Sequence, residues 1–261
     1  MDKRKQQLIS VFFIGSGRIA VHLASAFEKT DIELTGVYSR NHQNAIAFGQ
    51  KFDIPSFEHL NQIPQDSDVY ILAISDDQIE LVSSQINVNG ILVHCSGLKD
   101  IESIKGVGHK AVMWPLQSFS LDKSVDFKQI PILLEANSEE NYRIIEALCE
   151  RISHHLIPCN SQQRQWYHLA AVFVNNFSNH LYVEAEAILQ SQQLDFKLLL
   201  PLMKETVEKL NHLLPLAAQT GPAVRGDQQT IKKHLDLLSE NKTAKDIYSL
   251  ISKSIQETKR N

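Results

Sequence analysis

The amino-acid sequence predicts an α/β domain, built on a doubly wound parallel sheet, followed by an all-α domain. As far as Pro158, short apolar runs alternate with segments in which apolar residues recur at helical spacing. This alternation is typical of strand–helix–strand units, which pair their strands in parallel. From about Ser161 onward only helical spacing is found. We therefore predict two domains, residues 1–158 and residues 159–261.

Seven strands and three helices are expected in the first domain. Each strand is a short apolar run, as in a sheet whose two faces are both covered. Helices are assigned where apolar residues recur every three or four positions, as Ile19, Leu23 and Phe27 do. The predicted strands are residues 8–14, 34–38, 68–74, 91–94, 111–113, 130–134 and 155–158. The predicted helices are residues 18–29, 43–51 and 139–152.

The second domain is expected to contain helices and no strand. The predicted helices are residues 165–190, 196–214, 228–239 and 244–258. A Gly/Pro-rich segment, residues 219–227, separates the second helix from the third, because glycine and proline interrupt helices.

The composition is that of a globular protein with neither a nucleic-acid nor a membrane partner. Of the 261 residues, 43% are hydrophobic and 21% are charged, so each domain can form its own core. The net charge of −4 provides no basic surface field. No apolar run approaches the ~18 residues that a membrane span needs. Three separated cysteines without a CxxC pair favour a reducing compartment, so we expect a cytoplasmic protein.

A glycine-rich turn follows the first predicted strand. Residues 15–20 read GSGRIA, a G-x-G-x-x-A pattern in which Gly15 permits the tight turn and Gly17 lets backbone amides approach a pyrophosphate. An ordinary glycine turn is the alternative, but this segment joins an apolar strand to an amphipathic helix, the context that favours a dinucleotide site. The sequence thus indicates a Rossmann-type domain. The residues predicted to bind the cofactor here are Gly15, Ser16, Gly17, Arg18 and Ile19.

The residues after the second predicted strand indicate which dinucleotide is bound. NAD-binding domains place Asp or Glu there to bond the ribose hydroxyls, whereas this chain has Ser39 and Arg40. A guanidinium can pair with a 2′-phosphate and stack on adenine. Arg40 as a solvated loop residue is the alternative. We predict NADP as the cofactor, with Ser39 and Arg40 in its site.

Six motifs together resemble a known bacterial family. They are GSGRIA, AISDDQI (73–79), VHCSG (93–97), WPLQSFS (114–120), HLAAVFVNNF (168–177) and TGPAVRGDQQTI (220–231). That family combines a Rossmann domain with a C-terminal helical domain of unknown function, and its members are often labelled NADP oxidoreductase-like. It is similar to pyrroline-5-carboxylate reductase, deazaflavin-dependent NADP oxidoreductase and the 6-phosphogluconate dehydrogenase superfamily. In those relatives the helical domain commonly supplies a dimer interface and the active site lies between the domains.

The fourth motif departs from the pattern of the resembled family. It more often begins His-Pro, whereas Trp114 precedes Pro115 here. If a histidine at that position carries chemistry in the family, this chain lacks it.

Polar residues end two of the predicted strands, where ligands bind to doubly wound sheets. We expect Ser75 and Ser96 to contact the nicotinamide half of the cofactor. His94, at the end of its strand, either relays a proton or is a hydrogen-bonded structural histidine, and the sequence leaves both roles open.

One face of the long predicted helix is polar. His168, Ala171, Asn175 and Asn179 recur at spacings that place them on the same side. In β-hydroxyacid dehydrogenases the corresponding helix carries a lysine and, four residues later, an asparagine; matching Asn175 to that asparagine puts Ala171 at the lysine position. Either His168 supplies the proton, since histidine titrates near neutrality, or the protein is not such a dehydrogenase. A polar face satisfied across a helix interface is the alternative.

The Gly/Pro-rich segment carries two further candidates. Arg225 can hold a substrate carboxylate or phosphate, and we include it with His168 and Asn175 as predicted catalytic residues. Asp227 suits the N-cap of the helix that begins at residue 228.

The sequence leaves two functions open. One is an NADPH-dependent reductase of a small carbonyl or imine; the other is a non-catalytic NADP(H)-binding sensor that kept the fold. The helical domain also holds more leucines than short helices bury within one subunit, so a homodimer is expected. These leucines are Leu198, Leu199, Leu202, Leu210, Leu213 and Leu214.

Overall fold

The computed structural model describes residues 8–120 and 123–260. They form two compact units, of which the first ends at Asn176 and the second begins at Phe177. The last strand ends at Pro158, where the sequence places the change from strands to helices. The compact units thus divide 18 residues beyond the predicted boundary, because the helix that follows the last strand packs with the sheet.

Eight strands form one sheet in the first unit. They are β1 (Ser10–Ile14), β2 (Glu33–Tyr38), β3 (Ser56–Phe57), β4 (Val69–Leu72), β5 (Ile91–His94), β6 (Lys110–Pro115), β7 (Ile132–Ala136) and β8 (Leu156–Pro158). Their order across the sheet is β3-β2-β1-β4-β5-β6-β7-β8. The predicted α/β class and mainly parallel sheet are confirmed. Strand β3 was not predicted because two residues carry no hydrophobic pattern.

One pair of strands departs from the parallel arrangement. β6 and β7 are antiparallel, with Trp114 opposite Leu133. A parallel connection needs a crossover, usually an α-helix. The described residues between these strands form only a single 3-10 turn, Phe127–Gln129, which is why the chain returns in the opposite direction.

The helices cover both faces of the sheet. The five in the first unit are α1 (Arg18–Phe27), α2 (His42–Phe52), α3 (Ile79–Ser83), α4 (Glu139–Glu150) and α5 (Ser161–Ala171). Alternate residues of β1 belong to opposite layers: Val11 and Phe13 pack with α1, α2 and α4, whereas Phe12 and Ile14 pack with α3. The carboxyl ends of the parallel strands β1, β2, β4, β5 and β6 therefore meet at one open edge.

The second unit is helical, as predicted, but the predicted helices 165–190 and 196–214 are interrupted, and the last helix extends beyond the predicted residues 244–258. Its helices are α6 (Ser178–Ser191), α7 (Leu200–Glu208), α8 (Pro215–Ala218), α9 (Pro222–Arg225), α10 (Gln228–Leu237) and α11 (Lys242–Arg260). The predicted helix 196–214 is divided into a 3-10 turn, α7 and a second 3-10 turn. The predicted helix 165–190 is α5 and α6 separated by a π-helix, Val172–Phe177.

Asp227 occupies the predicted capping position. Its carboxylate accepts hydrogen bonds from the N–H (3.0 Å) and the hydroxyl (2.6 Å) of Thr230, which lower the pKa of Asp227. Across the described ranges, none of the helices combines the length and the hydropathy that crossing a membrane requires.

Candidate functional site

The glycine-rich turn has the backbone that a phosphate loop needs. Gly15 has φ +105°, and a Cβ atom there would lie 2.3 Å from the carbonyl oxygen of Ala73, so only glycine fits between β1 and β4. Gly17 is the N-cap of α1, and no side chain caps that helix. The N–H groups of the first turn and the positive end of the helix dipole therefore point into the glycine-rich turn. Helix N-termini of this kind are suited to binding phosphate groups.

A groove of about 420 Å³ extends from this turn along the open edge of the sheet. Its walls are the glycine-rich turn, the ends of β2 and β4, and the 78–85 segment. Six of the predicted cofactor-binding residues line it: Gly15, Ser16, Gly17, Ser39, Arg40 and Ser75. Arg18 and Ile19 lie in the first turn of α1, outside the lining, and stay predictions.

Arg40 is the positive charge of the groove. It is exposed, and the next residue, Asn41, caps α2 by accepting a hydrogen bond from the N–H of Gln43 (3.1 Å). Among the described residues, no carboxylate lines the groove. Hydrogen bonds from Ser75 and Gln78 lower the pKa of nearby Asp77, and the charge of Arg40 lowers it further. The groove thus offers one guanidinium and uncharged polar groups.

His94, at the end of β5, is fully buried and both of its ring nitrogens are bonded. The N–H of Ser96 donates to Nδ1 (3.1 Å), so Nδ1 carries no proton. Nε2 donates to the carbonyl oxygen of Asp100 (3.3 Å). Burial, with the positive charge of Arg164, lowers the pKa of His94 to about 4. Of the two roles that the sequence left open, these contacts favour the structural one.

The hydroxyl of Ser96 also makes hydrogen bonds within the protein. It donates to Asp76 (2.7 Å) and accepts from the N–H groups of Leu98 (3.1 Å) and Lys99 (2.9 Å). Ser96 is buried and does not line the groove. Its predicted contact with the nicotinamide therefore stays a prediction.

A second pocket, of about 620 Å³, opens where β6 ends. The end of β6 and the 116–118 loop form one wall, and residues 167–176 form the other. His168, Ala171 and Asn175 all line it, so the structure brings together three members of the predicted polar face. Asn179, the fourth, belongs to the second unit.

His168 differs from His94 in having unoccupied ring nitrogens. Its ring packs beside Trp114, with the ring centroids 5.8 Å apart. Gly97 is also close to the ring, since a Cβ atom at this position would lie 2.6 Å from Cδ2 of His168. Within residues 8–120 and 123–260, neither ring nitrogen of His168 has a hydrogen-bond partner. This imidazole can therefore exchange a proton with a molecule in the pocket.

Asn175 lies in the π-helix, Val172–Phe177. A π-helix widens the turn and changes which side chains share a face, and such segments are frequent at functional sites. The helical spacing of the sequence alone does not reveal it.

A histidine of α1 binds the loop that follows β6. Nε2 of His22, on α1, donates to the carbonyl oxygen of Ser120 (2.8 Å), and its ring centroid lies 5.0 Å from that of Phe119. Helix α1, which begins at the glycine-rich turn, thus contacts the loop after β6, whose first residues line the second pocket. Sequence reasoning missed His22 because nothing in a helical histidine indicates so distant a partner.

Arg225 is exposed and is the last residue of α9, in the second unit. Gly226 follows with φ +71° and ends the helix. The predicted role of Arg225 in anion binding stays a prediction.

The sheet, the glycine turn and the groove define a nucleotide-binding protein with an NAD(P)-dependent oxidoreductase-like fold. Two family models agree: "Oxidoreductase family, NAD-binding Rossmann fold" matches residues 9–95, and "Domain of unknown function (DUF2520)" matches residues 130–255. A Bacteroides fragilis protein, provisionally described as an NADP oxidoreductase, is 33% identical, with a TM-score of 0.88 over 96% of this chain and 98% of that one. The chain belongs to this family of Rossmann proteins with a C-terminal DUF2520 domain, as the motif resemblance predicted.

More distant structures share the fold. The reductive aminase from Aspergillus terreus, solved with NADPH and ethyl-5-oxohexanoate, is 12% identical with a TM-score of 0.74, over 96% of this chain and 95% of that one. The 1-pyrroline-5-carboxylate reductase from Streptococcus pyogenes is 13% identical with a TM-score of 0.60, over 96% and 99%. At these identities the likeness concerns the fold alone. Among curated proteins, none matches the chain significantly.

Proposed function

We propose that the protein is an NADP(H)-dependent reductase of a small carbonyl or imine. The observation that carries the proposal is the imidazole of His168, which has no hydrogen-bond partner among the described residues. It lies in a 620 Å³ pocket at the same sheet edge as the phosphate-loop groove. A positioned proton donor beside a dinucleotide site is what reduction of a C=O or C=N bond requires.

The choice of NADP rests on the groove. Arg40 is its cation, and no carboxylate of the described residues lines it to repel a 2′-phosphate.

Each side chain has a separate task in the proposed reaction. NADPH, when bound, supplies the hydride that goes to the carbonyl or imine carbon. His168 donates a proton to the oxygen or nitrogen of that bond and recovers a proton from solvent through the open pocket. The Asn175 carboxamide orients the substrate by hydrogen bonding. Anion binding by Arg225 is a separate prediction. The products are an alcohol or amine and NADP⁺.

An imine is the favoured substrate within this class. Ala171 occupies the position where hydroxyacid dehydrogenases carry their lysine, so that chemistry is not supported. Both distant relatives with named activities, a reductive aminase and a pyrroline carboxylate reductase, have names that refer to amine or imine chemistry.

The test is a screen of small keto acids and cyclic imines for NADPH oxidation, followed by His168→Ala. Loss of a positioned proton donor costs on the order of 10²–10⁴ in rate, while NADPH affinity should stay unchanged. His154→Ala, an exposed histidine of the same unit, is the control and should keep full turnover. Full activity of His168→Ala would refute its role; tight NADPH binding without any substrate would favour the non-catalytic sensor.

We also propose a homodimer built on the helical unit. Several large apolar side chains are exposed there, among them Leu198 (78%) and Leu214 (79%). Contiguous apolar patches on a protein surface are typical of association sites. Light scattering at micromolar protein should give twice the mass of one chain; a monomeric mass would refute the dimer.

A further inference from the structure

The largest fully buried side chain of the described residues is that of Arg164, on α5. It is 1% exposed, and its Nη1 donates to the carboxylate of Glu135 at the end of β7. A buried guanidinium is tolerated only when it is paired and its donors are satisfied. Neither residue was identified from the sequence, because they lie 29 positions apart.

The remaining donors of Arg164 go chiefly to a single loop. Nε donates to the carbonyl oxygen of Ser96 (3.1 Å), and Nη2 donates to that of Lys99 (2.6 Å) and to the hydroxyl of Ser161 (3.1 Å). The fork of the guanidinium therefore holds both ends of the segment 96–99, which we call the β5 loop. A lysine has one compact ammonium and cannot reproduce this geometry.

The β5 loop lies against the ring of His168. Arg164 precedes His168 by one helical turn, so both side chains leave α5 on the same side. Between the two clamped carbonyls lies Gly97, whose Cα faces His168 Cδ2 and the indole of Trp114 so closely that a Cβ would lie 2.6–2.7 Å from both rings. A displacement of this loop therefore changes the position of the imidazole ring.

The same loop is attached to the cofactor edge. The Ser96 hydroxyl donates to Asp76 (2.7 Å), the neighbour of Ser75, which lines the phosphate-loop groove. Arg164 thus connects α5, the β5 loop and the end of β4 through contacts no longer than 3.1 Å.

We propose that Arg164 is a positioning residue for the His168 proton donor. It fixes the β5 loop against the imidazole and thereby sets the direction of the ring towards the second pocket. The proposal rests on the proposed function only for the consequence in turnover; the position of the ring is measurable without a substrate.

The experiment compares Arg164→Lys with Arg151→Lys. Arg151 also forms an ion pair, with Asp31 (2.8 Å), but it shares no hydrogen-bond partner with Arg164. The readout is the ¹³C–¹H spectrum of the histidine rings, with the His168 signal assigned from its loss in His168→Gln. Arg164→Lys should displace the His168 signal, because a lysine cannot hold both carbonyl groups of the β5 loop. Arg151→Lys should leave the His168 signal at its wild-type position.

Turnover gives the second readout, on whichever carbonyl or imine the NADPH screen identifies. Misplacement of a catalytic group by about 1 Å costs on the order of 10²-fold in kcat, and KM should change little. A folded Arg164→Lys variant with the wild-type His168 signal overturns the proposal. If that variant does not fold, Ser161→Ala, which deletes one hydroxyl of the clamp, replaces it with the same criterion.

Gly97→Ala separates this proposal from the proposed function. Its added methyl would lie 2.6 Å from Cδ2 of His168 and 2.7 Å from the indole of Trp114, while the guanidinium of Arg164 stays in place, so it should displace the same signal. Displaced signals in both variants, with full turnover in His168→Ala, would leave the positioning role intact and refute the proton-donor role. An unchanged His168 signal in Gly97→Ala would show that the β5 loop does not determine the position of the imidazole ring. That result would overturn the positioning role of Arg164.

Discussion

Replacement of His94 by asparagine should remove a specific part of the acid sensitivity of the fold. His94 is 0% exposed, and its Nδ1 accepts a hydrogen bond, so the folded state keeps the ring neutral. The unfolded chain protonates it near the ordinary histidine pKa of 6.5, whereas the pKa in the folded state is lowered to about 4. Below pH 6.5 the unfolded state therefore binds a proton that the folded state does not, and stability falls as the pH falls.

The magnitude follows from those two values. Each pH unit between them costs about 1.4 kcal/mol, with the onset rounded near the unfolded pKa. Between about pH 7.5 and pH 5 the His94 contribution to the free energy of unfolding should fall by about 2 kcal/mol. Near pH 4 the loss should approach about 3 kcal/mol and then level off, because the folded state also becomes protonated.

Guanidinium unfolding at several pH values between neutral and mildly acidic measures the effect. The asparagine side chain keeps an acceptor for the Ser96 N–H, so His94→Asn should fold, with lower stability at neutral pH and a shallower decline on acidification. His154→Asn, at an exposed histidine of the same unit, is the control and should decline in parallel with the wild type. Parallel curves for wild type and His94→Asn would refute the buried neutral state of His94 and restore it as a candidate proton relay.

Three further changes test the cofactor and substrate sites. Arg40→Ala should weaken NADPH binding about 10- to 100-fold, the value of a charge-assisted hydrogen bond, and leave NADH binding unchanged in calorimetry; equal losses for both cofactors would contradict the 2′-phosphate contact. Gly15→Ala forces a side chain to φ +105°, which costs about 1–3 kcal/mol before the clash with Ala73 is counted. It should lower the melting temperature and abolish NADPH binding, whereas Gly108→Ala, with nothing within 4 Å of its Cβ, should do neither. Arg225→Ala should raise KM for an anionic substrate more than for a neutral one; an equal change would remove its role as an anion clamp.

The phosphate loop was predictable because its requirement is local. Gly15 and Gly17 are two positions apart, and the strand before them and the helix after them are evident in the same stretch of sequence. The backbone at Gly15 then confirmed the need for glycine through a neighbour, Ala73, that the fold supplies. The cation of the groove, Arg40, was found by its position after β2 for the same reason.

The distinction between His94 and His168 was not predictable. Both are histidines at the edges of apolar segments, but the partners of His94 are a backbone N–H and a carbonyl in the chain that follows β5, whereas His168 faces a cavity. Such bonds depend on how the loop is folded. Two further features were not predicted, since each arises from tertiary packing: the buried pair of Arg164 and Glu135, and the π-helix that contains Asn175.

The proposed reaction requires the nicotinamide of NADPH to lie beside His168. The most direct measurement is a crystal structure with NADP⁺ bound, in which the side chains surrounding the nicotinamide C4 are identified. We predict that C4 faces the open pocket lined by His168 and Asn175, with the 2′-phosphate on Arg40. A C4 atom enclosed by packed apolar side chains, with His168 turned away from it, would contradict a reductase and favour a protein that only binds the nucleotide.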